Sequence, residues 1–235
     1  MKRAISGLIV CASVVLAAAC NVQEPTVEEH KKTDAATAPM ASAEPVRPTD
    51  PAPTAAPATK TVYFDVHELG AGKATAKVAA EEHARAMAAT DKTVAFADYW
   101  VDEKNGRIIH VATGPSLAAV TAAHDAAHGK TPGKIMELIE APDRRQPAGG
   151  KKLFLDAHHN PPGTVIKVED IVKGHAKELT IQGKHNVDFV SWWLEPSTGT
   201  IMCLAETDDP KGAVASHQET DGDLADEMAE VTQGR

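Results

Sequence analysis

The sequence predicts an α+β fold: two tandem ferredoxin-like βαββαβ units that together form a pseudo-dimeric α+β barrel. Three observations carry that expectation. The chain repeats itself once, both copies alternate strand-like and helix-like segments in the same order, and only the part after residue 60 has the composition of a folded domain.

The repeat is read directly. TVYFDVHELGAG matches KLFLDAHHNPPG, EEHARAMAATDK matches KGHAKELTIQGK, ADYWVDEKNGRIIHVAT matches VSWWLEPSTGTIMCLAE, and AAHDAAHG matches ASHQETDG. The boundaries that follow are residues 61–141 for the first unit, 142–151 for a linker and 152–232 for the second. Two copies are too few for a solenoid, so each should be a small domain packed on the other.

In each unit the first segment is a strand. Val62, Phe64 and Val66 alternate with Tyr63, Asp65 and His67, a period of two. The apolar side is expected to pack under the helices, which would turn the Asp-x-His side toward the other repeat. A helix follows; in the second copy Val168, Ile171, Val172, His175 and Leu179 fall on one stripe. Asn105-Gly106 and Thr198-Gly199 separate two β-rich runs as hairpin turns do. The second helix carries HDAAHG or HQETDG near its end, and Ile135–Ile139 and Met228–Val231 complete the units as last strands. Helices on one face leave each sheet an open face, and a tandem copy supplies the internal partner that covers it.

The first sixty residues read differently. Lys2 and Arg3 precede an apolar run from Ile5 to Ala19, too short to span a bilayer and shaped like a signal peptide over residues 1–19. Leu16-Ala17-Ala18-Ala19-Cys20 resembles a bacterial lipobox, in which the cysteine is acylated; the expectation is a mature chain from Cys20, lipid-anchored to the membrane on the periplasmic or outer-membrane side. An ordinary secretory signal cut elsewhere is the alternative. Residues 20–60 hold seven prolines and no aromatic residue, the composition of a disordered tether.

Removing Lys2 and Arg3 leaves 22 basic against 33 acidic residues, a charge of −11 that argues against nucleic acid as a partner. Of three cysteines only Cys203 stays in the folded part, which excludes an intrachain disulfide there.

All but one of the eleven histidines follow residue 60. His67 aligns with His158, His83 with His175 and His124 with His217, while His128 meets Asp221 and His110 meets Cys203. Residues four apart share a helix face, so His124 and His128 can grip one cation, with His67 or His83 completing the set. The candidate metal ligands are therefore His67, His83, His124, His128, His158, His175, His217 and Asp221. Each has a plainer reading: His83 and His175 as hydrogen-bonded core residues, the helix-end pairs as caps, Asp-x-His as a solvated strand face. His-x-x-x-His lacks the glutamate of the zinc-protease motif, since Asp125 stands in its place. Trp100 and Trp193, beside Tyr99 and Trp192, suit core packing better than a ring-lined pocket.

The D-x-H start, the helix with a central histidine, the YWV or WWL strand and the H-x-x-x-H-G helix end resemble a small nickel-binding ferredoxin-like family, known mostly as domains of unknown function. The resemblance covers both copies. It implies a dimeric α+β barrel and divalent-metal binding, and implies no reaction. The expected function is thus an exported, lipid-anchored binding protein for divalent transition metal, nickel favoured, zinc or copper possible. Affinity should fall below about pH 6 to 6.5, where imidazole is protonated. Two other classes remain open: a small-molecule enzyme of the dimeric α+β barrel type, monooxygenase-like, and an interaction module in which the histidines are incidental.

Overall fold

The computed structural model describes residues 60–90, 92–129, 133–220 and 222–235; Cys20, the signal and tether segments and Asp221 lie outside them. The first unit runs β1 (Lys60–Glu68), α1 (Ala76–Ala89), β2 (Ala95–Asp102), β3 (Arg107–Thr113), α2 (Leu117–His128) and β4 (Gly133–Glu140). The second repeats the order with β5 (Lys152–His158), α3 (Val168–Ile181), β6 (Val187–Glu195), β7 (Thr200–Thr207), α4 (Pro210–Glu219) and β8 (Glu227–Gly234); a 3-10 turn, Gln182–His185, follows α3.

Local chemistry sets these limits. The Thr75 and Ser116 hydroxyls accept from the backbone N–H of Val78 and Ala119, capping α1 and α2. Asp209 caps α4, with Pro210 in its first turn. Gly106, at φ 73°, closes the β2–β3 hairpin, and a Cβ there would sit 1.8 Å from the Gly70 carbonyl oxygen. Gly199 does the same for β6–β7 at φ 72°.

The strands close into a barrel in the order β4-β1-β3-β2-β8-β5-β7-β6, each unit contributing four antiparallel neighbours. The two sheets face each other and also join at their edges. Tyr99, Trp100 and Val101 of β2 pair with Gly234, Gln233 and Thr232 of β8, while Ile139 and Glu140 of β4 pair with Leu194 and Trp193 of β6. Closure removes the exposed edges that a single unit would present.

The inside of the barrel is the main core. Val62, Phe64 and Val66 meet Leu153, Leu155, Trp100 and Trp193 there, and Phe64 packs on both tryptophans at ring-centroid distances of 5.4 and 5.1 Å. A bulge at the same place in each unit, between Phe96 and Asp98 and between Phe189 and Ser191, resets the alternation ahead of the paired aromatics. Trp100 and Trp193 therefore point inward, whereas Tyr99 and Trp192 pack beneath the helices.

This corrects the expected facing of β1. The apolar residues line the barrel between the repeats, and Asp65 and His67 lie under α1 and α2 of their own repeat. Both sides of the strand are buried, so its polar side is enclosed by helices instead of being turned to the other sheet.

One end of the barrel is tied by charge. Arg144, in the segment between β4 and β5, bridges Glu140 and Asp98, and the Trp193 indole N–H donates to Glu140 at 3.1 Å. Lys60 also meets Glu140, at 2.8 Å.

Candidate metal centre

Five imidazoles gather between the sheet and the helices of the first repeat. β1 supplies His67, β3 supplies His110 directly beside Asp65, α1 supplies His83, and one turn of α2 supplies His124 and His128. The His67 ring lies 5.0 Å from those of His110 and His124 and 4.6 Å from that of His128. Asp65, His67 and His110 have no exposed surface.

Two carboxylates organise the rings. His67 Nδ1 lies 2.6 Å from Glu82 Oε2, and its Nε2 lies 3.3 Å from Asp65 Oδ1. Asp65 Oδ2 is 2.8 Å from His124 Nδ1. Glu82 therefore fixes the His67 ring from outside and leaves Nε2 to face the cluster, as a carboxylate behind a ligating imidazole does.

Donor atoms of His67, His110 and His128 lie within 4.8 Å of one another, and so do those of Asp65, His67 and His124, with His67 common to both groups. Nitrogens bound to one metal at about 2.1 Å stand roughly 3 to 4 Å apart, so small ring rotations suffice to bring either set onto an ion. Both ring nitrogens of His110 are buried without a hydrogen-bond partner in the structure. An unsatisfied buried polar atom costs about 1–3 kcal/mol, and a cation among these rings would satisfy it. The residues fit a divalent metal. An opening of about 300 Å³ bordered by Asp65, Thr121, His124 and Ile135 reaches the cluster from the surface.

Electrostatics divide the rings into two kinds. Burial, reinforced by the charge on His67, pushes His110 down to about 3 and His128 to about 4, so both are neutral at pH 7. Burial also opposes charge on His67, but hydrogen bonds to Asp65 and Glu82 outweigh it and hold that ring at about 9. Metal binding at His67 must displace a proton, and binding at the other two need not.

His83 belongs to neither group; it stacks on His110 at 5.6 Å and 9° between ring planes, with Tyr99 4.9 Å from it and 5.9 Å from His110.

The second repeat brings its residues together differently. His217 Nδ1 meets Glu178 Oε1 at 2.6 Å and its Nε2 meets Asp156 Oδ2 at 3.3 Å, so both nitrogens are occupied. Burial works against its charge, yet the two carboxylates raise it to about 10. His175 lies 3.5 Å from Glu178 and His158 lies 3.3 Å from Asp156. Donor atoms of Asp156, His158 and Cys203 fall within 4.8 Å of one another. The Cys203 thiol is pushed up by burial and by the charges of Asp156 and Glu178, which makes the thiolate that binds metal hard to form.

Sequence reasoning passed over Glu82 and Glu178, weighed Asp65 as a carboxylate that orients or ligates but kept it out of the main set, and took His110 and Cys203 as one potential ligand exchanged for another. The signal for His110 was present: a histidine between Ile109 and Val111 on a buried strand. Glu82 aligns with Gly174, so comparing the repeats concealed it.

No curated protein matches the chain. Among solved structures, SCO4226 from Streptomyces coelicolor A3(2) is 30% identical over 32% of this chain and 90% of that one, with a TM-score of 0.30. A putative monooxygenase from Fusobacterium nucleatum is 11% identical over 74% of this chain and 92% of that one, with a TM-score of 0.42. A chlorite dismutase variant from Candidatus Nitrospira defluvii is 7% identical over 74% of this chain and 91% of that one, with a TM-score of 0.46. The family described as nickel responsive protein SCO4226-like matches twice, at residues 63–138 and 154–231, once over each repeat. With both repeats matched, the chain belongs to the nickel-responsive SCO4226-like family.

Proposed function

We propose that the chain is an exported, lipid-anchored protein that binds a divalent transition metal, nickel favoured, in its first repeat. His67, His110 and His128 supply imidazole nitrogens, Asp65 and His124 form the adjoining donor pair, and Glu82 orients His67. The observation that carries this reading is the convergence of those donor atoms within 4.8 Å in a buried site. Imidazole and carboxylate donors accept nickel, zinc and copper alike, and the family's nickel response tips the choice. The Lys2-Arg3 start, the apolar run and Cys20 support export and acylation.

Calorimetric titration of nickel, zinc and copper into metal-free full-length chain, made without a histidine tag, tests the site. His124→Ala and His128→Ala should each weaken binding; wild-type affinity for every metal in both variants would make the helix pair structural. Metabolic labelling with a fatty-acid analogue tests the anchor: wild type should be marked and Cys20→Ala spared, and equal labelling of both would rule acylation out.

A further inference from the structure

Opposite the end tied by Arg144, the barrel opens into a cavity of about 1000 Å³ that belongs to neither histidine cluster. Its deep wall is apolar, formed by inward residues of both repeats such as Phe64, Ile109, Met136, Leu155 and Met202. Phe64 rests on Trp100 and Trp193, so the aromatic trio closes the bottom. The volume is at the upper end of that of small-molecule pockets, and methionine walls adapt to irregular apolar shapes.

The mouth is polar and mixed in charge: Glu68 and Lys104 add one charge of each sign to two ion-paired groups. Lys134 meets Glu195 at 2.9 Å, and Thr198 donates to the same carboxylate. Arg107 holds Asp102 at 2.8 Å and reaches Glu227 at 3.6 Å. A ligand head with net charge meets charges of both signs there and gains from one sign what it loses to the other, whereas an uncharged or zwitterionic head can hydrogen-bond to the pairs intact.

We propose that this cup binds an amphiphile whose apolar body rests on Phe64 and the methionines and whose neutral or zwitterionic head lies among the charged pairs of the mouth. The site is independent of the metal cluster, because Phe64 and Val66 face the cavity while Asp65 and His67 point to the other side of the same strand.

The test uses N-phenyl-1-naphthylamine, an uncharged fluorescent probe that accepts energy from tryptophan. In purified full-length chain, excitation of tryptophan should light the probe, since Trp100 and Trp193 lie beneath the floor. Dodecyl phosphocholine and dodecyl maltoside, kept below their micelle concentrations, should displace it at least about tenfold better than laurate or dodecyltrimethylammonium. Ala157→Phe, which fills the cup, should weaken the probe on the order of 10-fold while leaving nickel titration unchanged. Ala229→Phe, on the neighbouring strand, serves the same purpose if Ala157→Phe does not fold. Probe emission without energy transfer, or probe affinity untouched by a folded filling variant, overturns the site. Equal displacement by the charged amphiphiles overturns the head assignment.

Discussion

The two repeats carry the same strand motif, Asp65-x-His67 and Asp156-x-His158, and each holds one histidine charged between two carboxylates, yet they surround that ring differently. In the first, Glu82 lies on α1 beside His83 and meets His67, Asp65 lies between His67 and His124, and the neutral rings of His110 and His128 complete the group. In the second, the glutamate sits at Glu178, one turn later on α3 relative to its histidine, and joins Asp156 on a single ring, His217. An ion triad is thus present in both, and what sets the first apart is the pair of neutral imidazoles beside it, where the second has the Cys203 thiol. The proposed metal site lies in the half that has those neutral rings.

The largest expected effect breaks that triad. His217→Ala leaves Asp156 and Glu178 buried without their common cation and should cost roughly 3–5 kcal/mol, read as a fall in denaturant midpoint. A loss no greater than that of His124→Ala would remove the distinction between the halves. The same triad sets a pH signature. His217 titrates near 10 folded against 6.5 in a free chain, so its contribution is complete below about pH 6.5 and is lost as pH rises through 10. Asp156 and Glu178, held below the usual carboxylate range, contribute above their unfolded values and lose that contribution in acid. Melting temperature should therefore decline between pH 6.5 and 10 in wild type and decline less in His217→Ala, where only His67, held at about 9, keeps a dependence of that sign.

Next in size is the loss of nickel affinity in His67→Ala, expected to exceed about 100-fold because both donor groups share that ring. His158→Ala, its counterpart, should leave the strongest binding step unchanged; equal losses would mean that both repeats bind alike. A smaller effect follows from the proton on His67. Nickel competes with it below pH 9, so affinity should climb roughly tenfold per pH unit between 7 and 9. This displaces the dependence expected of an ordinary imidazole, and a profile flat above pH 7 would contradict it. The smallest effect sharpens the comparison: Cys203→His restores the ring that His110 provides, yet should add no second nickel site in titration while Glu178 and Asp156 keep His217 charged.

Much of this was legible in the residues. The duplication, the βαββαβ order, both hairpin turns and the burial of the tryptophans followed from periodicity and alignment, because those signals are local or repeated; which of the paired aromatics points inward did not, since a bulge decides it. Alternation along Val62 to His67 established which side chains share a side. It did not establish which side meets the helices, since a strand buried on both faces lacks the solvent contrast that orients an amphipathic one. Glu82 was hidden for a related reason: a glutamate beside His83 on a helix reads as a solvated neighbour until the fold brings β1 beneath it. His83 lay on the right face yet outside donor reach, a matter of a few ångströms that spacing cannot resolve.

The segment between Glu140 and Lys152 has a consequence for assembly. Closing the barrel requires β2 to find β8 and β4 to find β6, contacts between separate repeats. A short connection makes that encounter intramolecular, at an effective concentration on the order of millimolar. Separate halves would part on dilution, while the joined chain keeps its barrel closed however few copies are present.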